Sequence, residues 1–224
     1  MNRTPTQLDN LHNHKIDEEN FELWLEPEDY SAVYEDEEPG VEYLMANKFI
    51  KNIRNMGIKA KEAKKPILIH MKTCGGDWHE GMAIYHAIKA CPVPTIILSY
   101  THARSMSSII LQAADKRVLM SDSIFMIHWG TDAIAGESKT VDSIWTFYKD
   151  TYNTNDRMIS VYADRMCKAN SDLKKPALKR KLIKAIEAKG DKFYTEEQAV
   201  EENFADEVFD YNWEKLKKNV KKIK

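Results

Sequence analysis

Four short apolar runs punctuate the middle of the sequence: Pro66 to Met71, Thr95 to Leu98, Val118 to Met120 and Ile124 to Ile127. Each has the length of a buried strand and is too short for an ordinary helix. Gly75-Gly76 closes the first run with a turn signal, and a helical pattern follows from about Glu80 to Ala90. A second helix is expected to begin near Ser105. Strands that alternate with helices pair in parallel through right-handed crossovers. The expected class is therefore α/β, with a mostly parallel sheet built from βαβ units.

The flanks carry weaker signals. Val41, Leu44, Met45, Phe49, Ile50 and Ile53 recur at three and four residues after Pro39-Gly40 and predict an amphipathic helix. Residues Asp17 to Glu38 hold eleven acids and no Lys or Arg, interleaved with Phe21, Trp24, Tyr30 and Tyr34. Such a segment reads as partly ordered, with Phe21 to Leu25 as an edge strand. Downstream, Val141, Ile144, Tyr148, Tyr152, Ile159, Tyr162 and Met166 mark one long helix from Lys139. Its Tyr148, Tyr152, Ile159 and Tyr162 would be poorly covered in a lone chain, which favours assembly. Eight basic residues and two acids lie between Lys168 and Lys189, while Leu178, Leu182 and Ile186 keep one apolar face, as in a solvated helix. Thr195-Glu196-Glu197-Gln198 has capping-box form, and Asn203 falls where a helix end takes a left-handed residue. Lys215 to Lys224 reads as a frayed helix.

Composition removes several classes of function. The 224 residues suit one large domain, and 33 Lys+Arg against 35 Asp+Glu leave a net charge of −2, with no basic field for nucleic acid. No apolar run approaches the ~18–20 residues of a membrane span, and the N-terminus has no signal-like stretch, so a cytoplasmic protein is expected. Cys74, Cys91 and Cys167 are widely spaced and form neither a disulfide framework nor a zinc pattern. His79-Glu80 lacks the second histidine of a zinc-protease helix, and no metal site or cofactor is expected.

Three segments place reactive side chains near strand or helix ends: Ala103-Arg104-Ser105-Met106-Ser107, Met126-Ile127-His128-Trp129 and Gly190-Asp191-Lys192-Phe193. A serine hydroxyl becomes a nucleophile when a base takes its proton and an acid orients that base. Ser105, His128 and Asp191 fit these roles, but His102 is a rival base and Asp206 a rival acid. Periodicity does not choose among them.

Together the segments resemble the Clp protease proteolytic subunit (ClpP) family, serine peptidases of the ClpP/crotonase fold. The similarity runs from about Pro66 to Phe209. Ala-Arg-Ser-Met-Ser is similar to the family's nucleophile segment, in which a small residue pair precedes Ser-Met. Met126-Ile127-His128 matches its Met-Ile-His, although Trp129-Gly130 replaces the usual Gln-Pro. Asp191-Lys192-Phe193-Tyr194-Thr195 resembles the block before the family's last strand, where Asn203 replaces a glycine. Thr73-Cys74-Gly75-Gly76-Asp77 resembles its Ser-Pro-Gly-Gly turn, with Cys74 in place of the proline as a turn substitution.

This resemblance implies a serine endopeptidase in which Ser105 attacks, His128 moves the proton and Asp191 orients the imidazole. Gly76 and Met106 supply the oxyanion hole, without metal or organic cofactor. It implies a peptidase domain over 39–210 with a protruding handle region at 139–189, between an acidic segment 1–38 and a lysine-rich tail 211–224. It also implies two stacked seven-membered rings of identical subunits enclosing the active sites, which admit peptide or unfolded protein. An AAA+ ATPase unfoldase is the implied partner, yet the first forty residues match no N-terminal pattern of the family, as in a divergent, viral-type branch. Two other readings stay open: a catalytically silent ring subunit and a crotonase-type acyl-CoA enzyme, which would not need Ser105.

Overall fold

The structure, a computed structural model, describes residues 3–28, 38–131 and 139–223. The sequence features at Tyr30 and Tyr34 lie outside the described residues, as do all four acids from 29 to 37. The chain opens with α1 (Pro5–Asn13), started by a capping box in which Thr4 and Gln7 serve each other's backbone N–H. β1 (Ile16–Asp17) and β2 (Glu22–Leu25) then pair antiparallel. Leu23 and Leu25 are fully buried. The strand expected at Phe21 to Leu25 thus exists but does not form the edge, because β1 covers its outer side.

α2 (Tyr43–Ala63) follows, buried along Met45, Ala46, Phe49, Ile53, Met56, Gly57 and Ala60. Two positions counted in its apolar face fall elsewhere. Leu44 is 57% exposed, and Val41 precedes the helix and bridges to Gly76. In β3 (Ile67–Thr73) every residue except Lys72 is buried, as an apolar strand covered on both faces requires. α3 (Trp78–Lys89) starts at Asp77, whose carboxylate accepts from the Glu80 N–H, and leads to β4 (Thr95–Arg104). β4 continues six residues past the apolar run that announced it, because its polar end pairs with a further strand. β3 and β4 run parallel, with Ile67 opposite Thr95 and Thr73 opposite Ala103.

α4 (Met106–Leu111) separates β4 from β5 (Lys116–Leu119) and β6 (Ile124–Ile127). Both of these strands pair in parallel with β4, β5 along Ile96 to Ser99 and β6 along His102 to Arg104. α5 (Val141–Ala169), α6 (Lys175–Lys189), β7 (Lys192–Thr195), α7 (Glu196–Glu201), β8 (Glu207–Val208) and α8 (Trp213–Leu216) complete the chain. The sheet order is β1-β2-β3-β4-β5-β8, with β6 on β4 and β7 on β6. β2 with β3, β3 with β4, β4 with β5 and β6, and β5 with β8 all pair in parallel, while β1 with β2 is antiparallel. The mostly parallel α/β sheet expected from the sequence is what the chain forms.

One sheet face buries Leu68, Ile96, Leu98 and Val118 under Phe209 and Leu216. The C-terminal segment is therefore part of the core. α8 is a single turn within it, and the frayed helix expected from Lys215 onward is not found: Lys116 Nζ donates to the Leu216 carbonyl and Ile223 N–H to Asp115. Several acids of the N-terminal segment are also paired within the chain, Asp17 with Arg3, Glu18 with Lys59 and Glu22 with Lys217. Arg117 is wholly buried and is neutralised by Asp206, with Nη2 2.6 Å from Oδ1, while Nη1 donates to the Gln112 side-chain oxygen and to the Asn203 carbonyl. Asn203 takes φ 65°, the left-handed conformation its position called for.

The chain divides into two compact units, residues 1–126 with 194–224, and residues 127–193. In the second, α5 and α6 pack on each other, and Leu178, Leu182 and Ile186 of α6 are buried. Ile159 and Tyr162, expected to be poorly covered, are fully buried. The uncovered stripe lies earlier on α5, at Val141, Ile144, Trp145, Tyr148 and Tyr152. No helix among the described residues is long and apolar enough to cross a membrane.

Candidate active site

β4 ends at Arg104 and α4 begins at Met106, so Ser105 occupies a one-residue corner between strand and helix. Its backbone sits at φ 51°, ψ −127°. A non-glycine residue at positive φ stores strain of about 1–3 kcal/mol and persists only where the surroundings over-determine it. Those surroundings are backbone. A Cβ at Gly75 would lie 2.6 Å from the Ser105 Cβ, 3.0 Å from the Arg104 carbonyl oxygen and 3.2 Å from the Met106 nitrogen. Gly75 and Gly76 have φ of 121° and 130°. Glycine is required twice over there, for conformation and for close approach.

Hydrogen bonds fasten the same turn. The Ser107 hydroxyl donates to the Thr73 carbonyl at 2.7 Å, and the Thr73 hydroxyl to the Gly75 carbonyl at 3.3 Å. α3 presses on the far side, since a Cβ at Gly81 would meet the Met106 side chain at 2.2 Å. The first unit therefore brings Gly76, Ser105 and Met106 onto one braced backbone assembly.

The second unit holds the other two predicted residues. His128 follows β6 and Asp191 precedes β7, and Nδ1 of His128 lies 3.7 Å from Oδ1 of Asp191. That separation allows attraction and is longer than a hydrogen bond. Both groups are accessible, His128 at 22% and Asp191 at 55%. Beyond His128, the Gly130 N–H donates to Asn155 of α5 at 2.8 Å. The dipeptide that departs from the family's Gln-Pro thus ties the loop to α5. Trp129, Tyr148, Tyr152, Asn155, Ile159 and Ile183 line a groove of 320 Å³ beside it.

The rivals are otherwise engaged. His102 Nε2 lies 2.8 Å from the Glu38 carboxylate. Burial, the largest influence, holds His102 below its ordinary value; Glu38 pulls upward and Arg104 pushes down. Asp206 is committed to Arg117. The Cys74 thiol donates to the Glu38 carbonyl at 3.3 Å, and burial, then Glu38, push its pKa up, the opposite of a reactive thiolate. Sequence reasoning did not single out Glu38. The one signal was Arg104, a large cation where the resemblance called for a small residue.

Comparisons with known proteins bear on the family and the fold. A sequence profile of the family described as Clp protease matches residues 38–212. An ATP-dependent Clp protease proteolytic subunit from Deinococcus radiodurans is 25% identical over 172 residues, 76% of each chain. Over a shorter stretch of 100 residues, proteolytic subunit 2 from Treponema denticola is 30% identical, covering 44% of this chain and 49% of that one. A solved structure of a ClpP1 variant from Listeria monocytogenes superposes with a TM-score of 0.67 over 89% of this chain and 96% of that one; at 15% identity it bears on the fold alone. With a family match across most of the chain and the fold to go with it, this protein belongs to the Clp protease family and is a ClpP-like peptidase.

Proposed function

We propose that this chain is a serine endopeptidase. Ser105 Oγ attacks the peptide carbonyl, His128 accepts its proton and returns it to the leaving amine, and Asp191 orients the imidazole. The Gly76 and Met106 N–H groups hold the oxyanion. This chemistry calls on no metal or organic cofactor. The observation that carries the reading is the strained Ser105 corner stacked on the glycine turn, in a chain of this family. A crotonase-type enzyme would use the turn but would have no use for a serine held at φ 51°.

The peptidase domain, on this reading, spans 39–210, and identical subunits assemble into stacked seven-membered rings that enclose the active sites. The exposed apolar stripe of α5 from Val141 to Tyr152 supports assembly, because a lone chain would leave it in water. An AAA+ unfoldase would deliver folded substrates in the cytoplasm. Hydrolysis of a short fluorogenic peptide tests the chemistry: Ser105→Ala is expected to lose at least about a thousandfold in kcat, since the triad acts as a unit. Full activity in the purified variant would contradict the reading. Light scattering tests assembly, and a monomer that still cleaves peptides would refute the chamber.

A further inference from the structure

Residues 38–41 lie against the glycine turn. Val41 N–H donates to the Gly75 carbonyl, and Asp77 N–H to the Val41 carbonyl at 3.0 Å. A Cβ at Gly76 would lie 2.4 Å from the Val41 nitrogen, and one at Gly40 would lie 2.7 Å from the Gly75 oxygen. The glycine turn therefore touches two other backbone segments, residues 38–41 and residues 104–106. Those two segments are also joined directly. Glu38 Oε1 is 2.8 Å from His102 Nε2, and Glu38 Oε2 is 2.8 Å from an Arg104 terminal nitrogen. The Glu38 carbonyl accepts from Cys74 just before the turn.

We propose that Glu38, His102 and Arg104 form a clamp that closes residues 38–41 over the glycine turn and sets the Gly76 N–H relative to Ser105. This inference rests on Ser105 being the nucleophile. The carboxylate, at 2.8 Å, favours Nε2 as the protonated nitrogen of neutral His102 over the longer 3.4 Å approach of the Arg104 terminal nitrogen to the same atom. Arg104 is the residue immediately before Ser105, so Glu38 grips the nucleophile strand next to the reactive corner. The Arg104 Nε is buried with no hydrogen-bond partner among the described residues. A buried orphan donor is costly, so packing alone gives little reason for an arginine here. Its terminal nitrogen on Glu38 does.

As positioning residues, these groups act on rate more than on affinity. An oxyanion donor contributes about 10²–10³ in kcat when removed outright, and a displaced one loses part of that. Glu38→Gln and Arg104→Gln are each expected to lower kcat for a short peptide about tenfold, with KM within about twofold of the parent. The double variant should be no worse than about either single one, because both break the same clamp. Arg104→Lys, which keeps a cation beside Glu38, should recover much of the loss. Ser105→Ala is run alongside. If it is inactive while Glu38→Gln and Arg104→Gln keep kcat near the parent value, the clamp is wrong and the nucleophile stands. A loss of kcat that merely follows a fallen Tm and disappears on cooling would also overturn the clamp. Full activity of Ser105→Ala would overturn both.

Discussion

Around Ser105 the chain is fixed by backbone against backbone, whereas around His128 it is fixed by side chains. Gly75 and Gly76 have no room for an added atom, and the positive φ values of both glycines and of Ser105 leave few alternatives. His128 and Asp191 are partly open to solvent and 3.7 Å apart, in a unit whose α5 presents uncovered aromatics. The difference teaches where preorganisation resides. The groups proposed to stabilise charge are built in, while the pair proposed to serve as base and its orienting acid has freedom to tighten when substrate arrives.

The sharpest way to break that contrast is to make one small substitution on each side. Gly76→Ala places a Cβ 2.4 Å from the Val41 nitrogen at φ 130°, and should cost about 10²–10³ in kcat, as for a lost oxyanion donor. Steady-state peptide cleavage checks it; near-parent activity would show that the turn is not built to tolerance. Asp191→Asn should cost less, about 10–100-fold, the worth of one hydrogen bond to a charged group. If Asp191→Asn proved the more damaging, the base half would be the rigid one.

Stability separates the regions further. Asp206→Ala strands the buried Arg117 charge and should cost about 3–5 kcal/mol in denaturant unfolding. An effect near zero would return Asp206 to the list of candidate acids. The smallest effect concerns pH. Because the folded state lowers the His102 pKa below the ordinary 6.5, its contribution is fully present above that value and is lost as pH falls through the folded value. Unfolding free energy should decline on acidification below 6.5, and His102→Gln should flatten that decline. An unchanged slope would mean another group sets it.

Much of the first region could be read from sequence because its signals are local. Gly75-Gly76, the apolar run before it and Ser-Met-Ser each report on their own few residues. Asn203 and the Thr195 capping box were legible for the same reason. What escaped depends on distant partners. Glu38 and Arg104 are sixty-six residues apart, and nothing in either neighbourhood announces the other. β4 reads as ending at Leu98 because Ser99 to Arg104 are mostly polar, although β6 and β3 pair with them. The helical stripe of α5 showed which residues share a face but not how far along it the cover extends. Ile159 and Tyr162 are buried and Tyr148 is not.

The central claim is that Ser105 is an activated nucleophile, and a fluorophosphonate probe tests it most directly because the probe reacts with activated serine hydroxyls and not with ordinary ones. Mapping of the adduct by mass spectrometry should place it on Ser105, with labelling abolished in Ser105→Ala and strongly slowed in His128→Ala. Labelling at another residue, or none in an assembled protein that still cleaves peptides, would contradict the account.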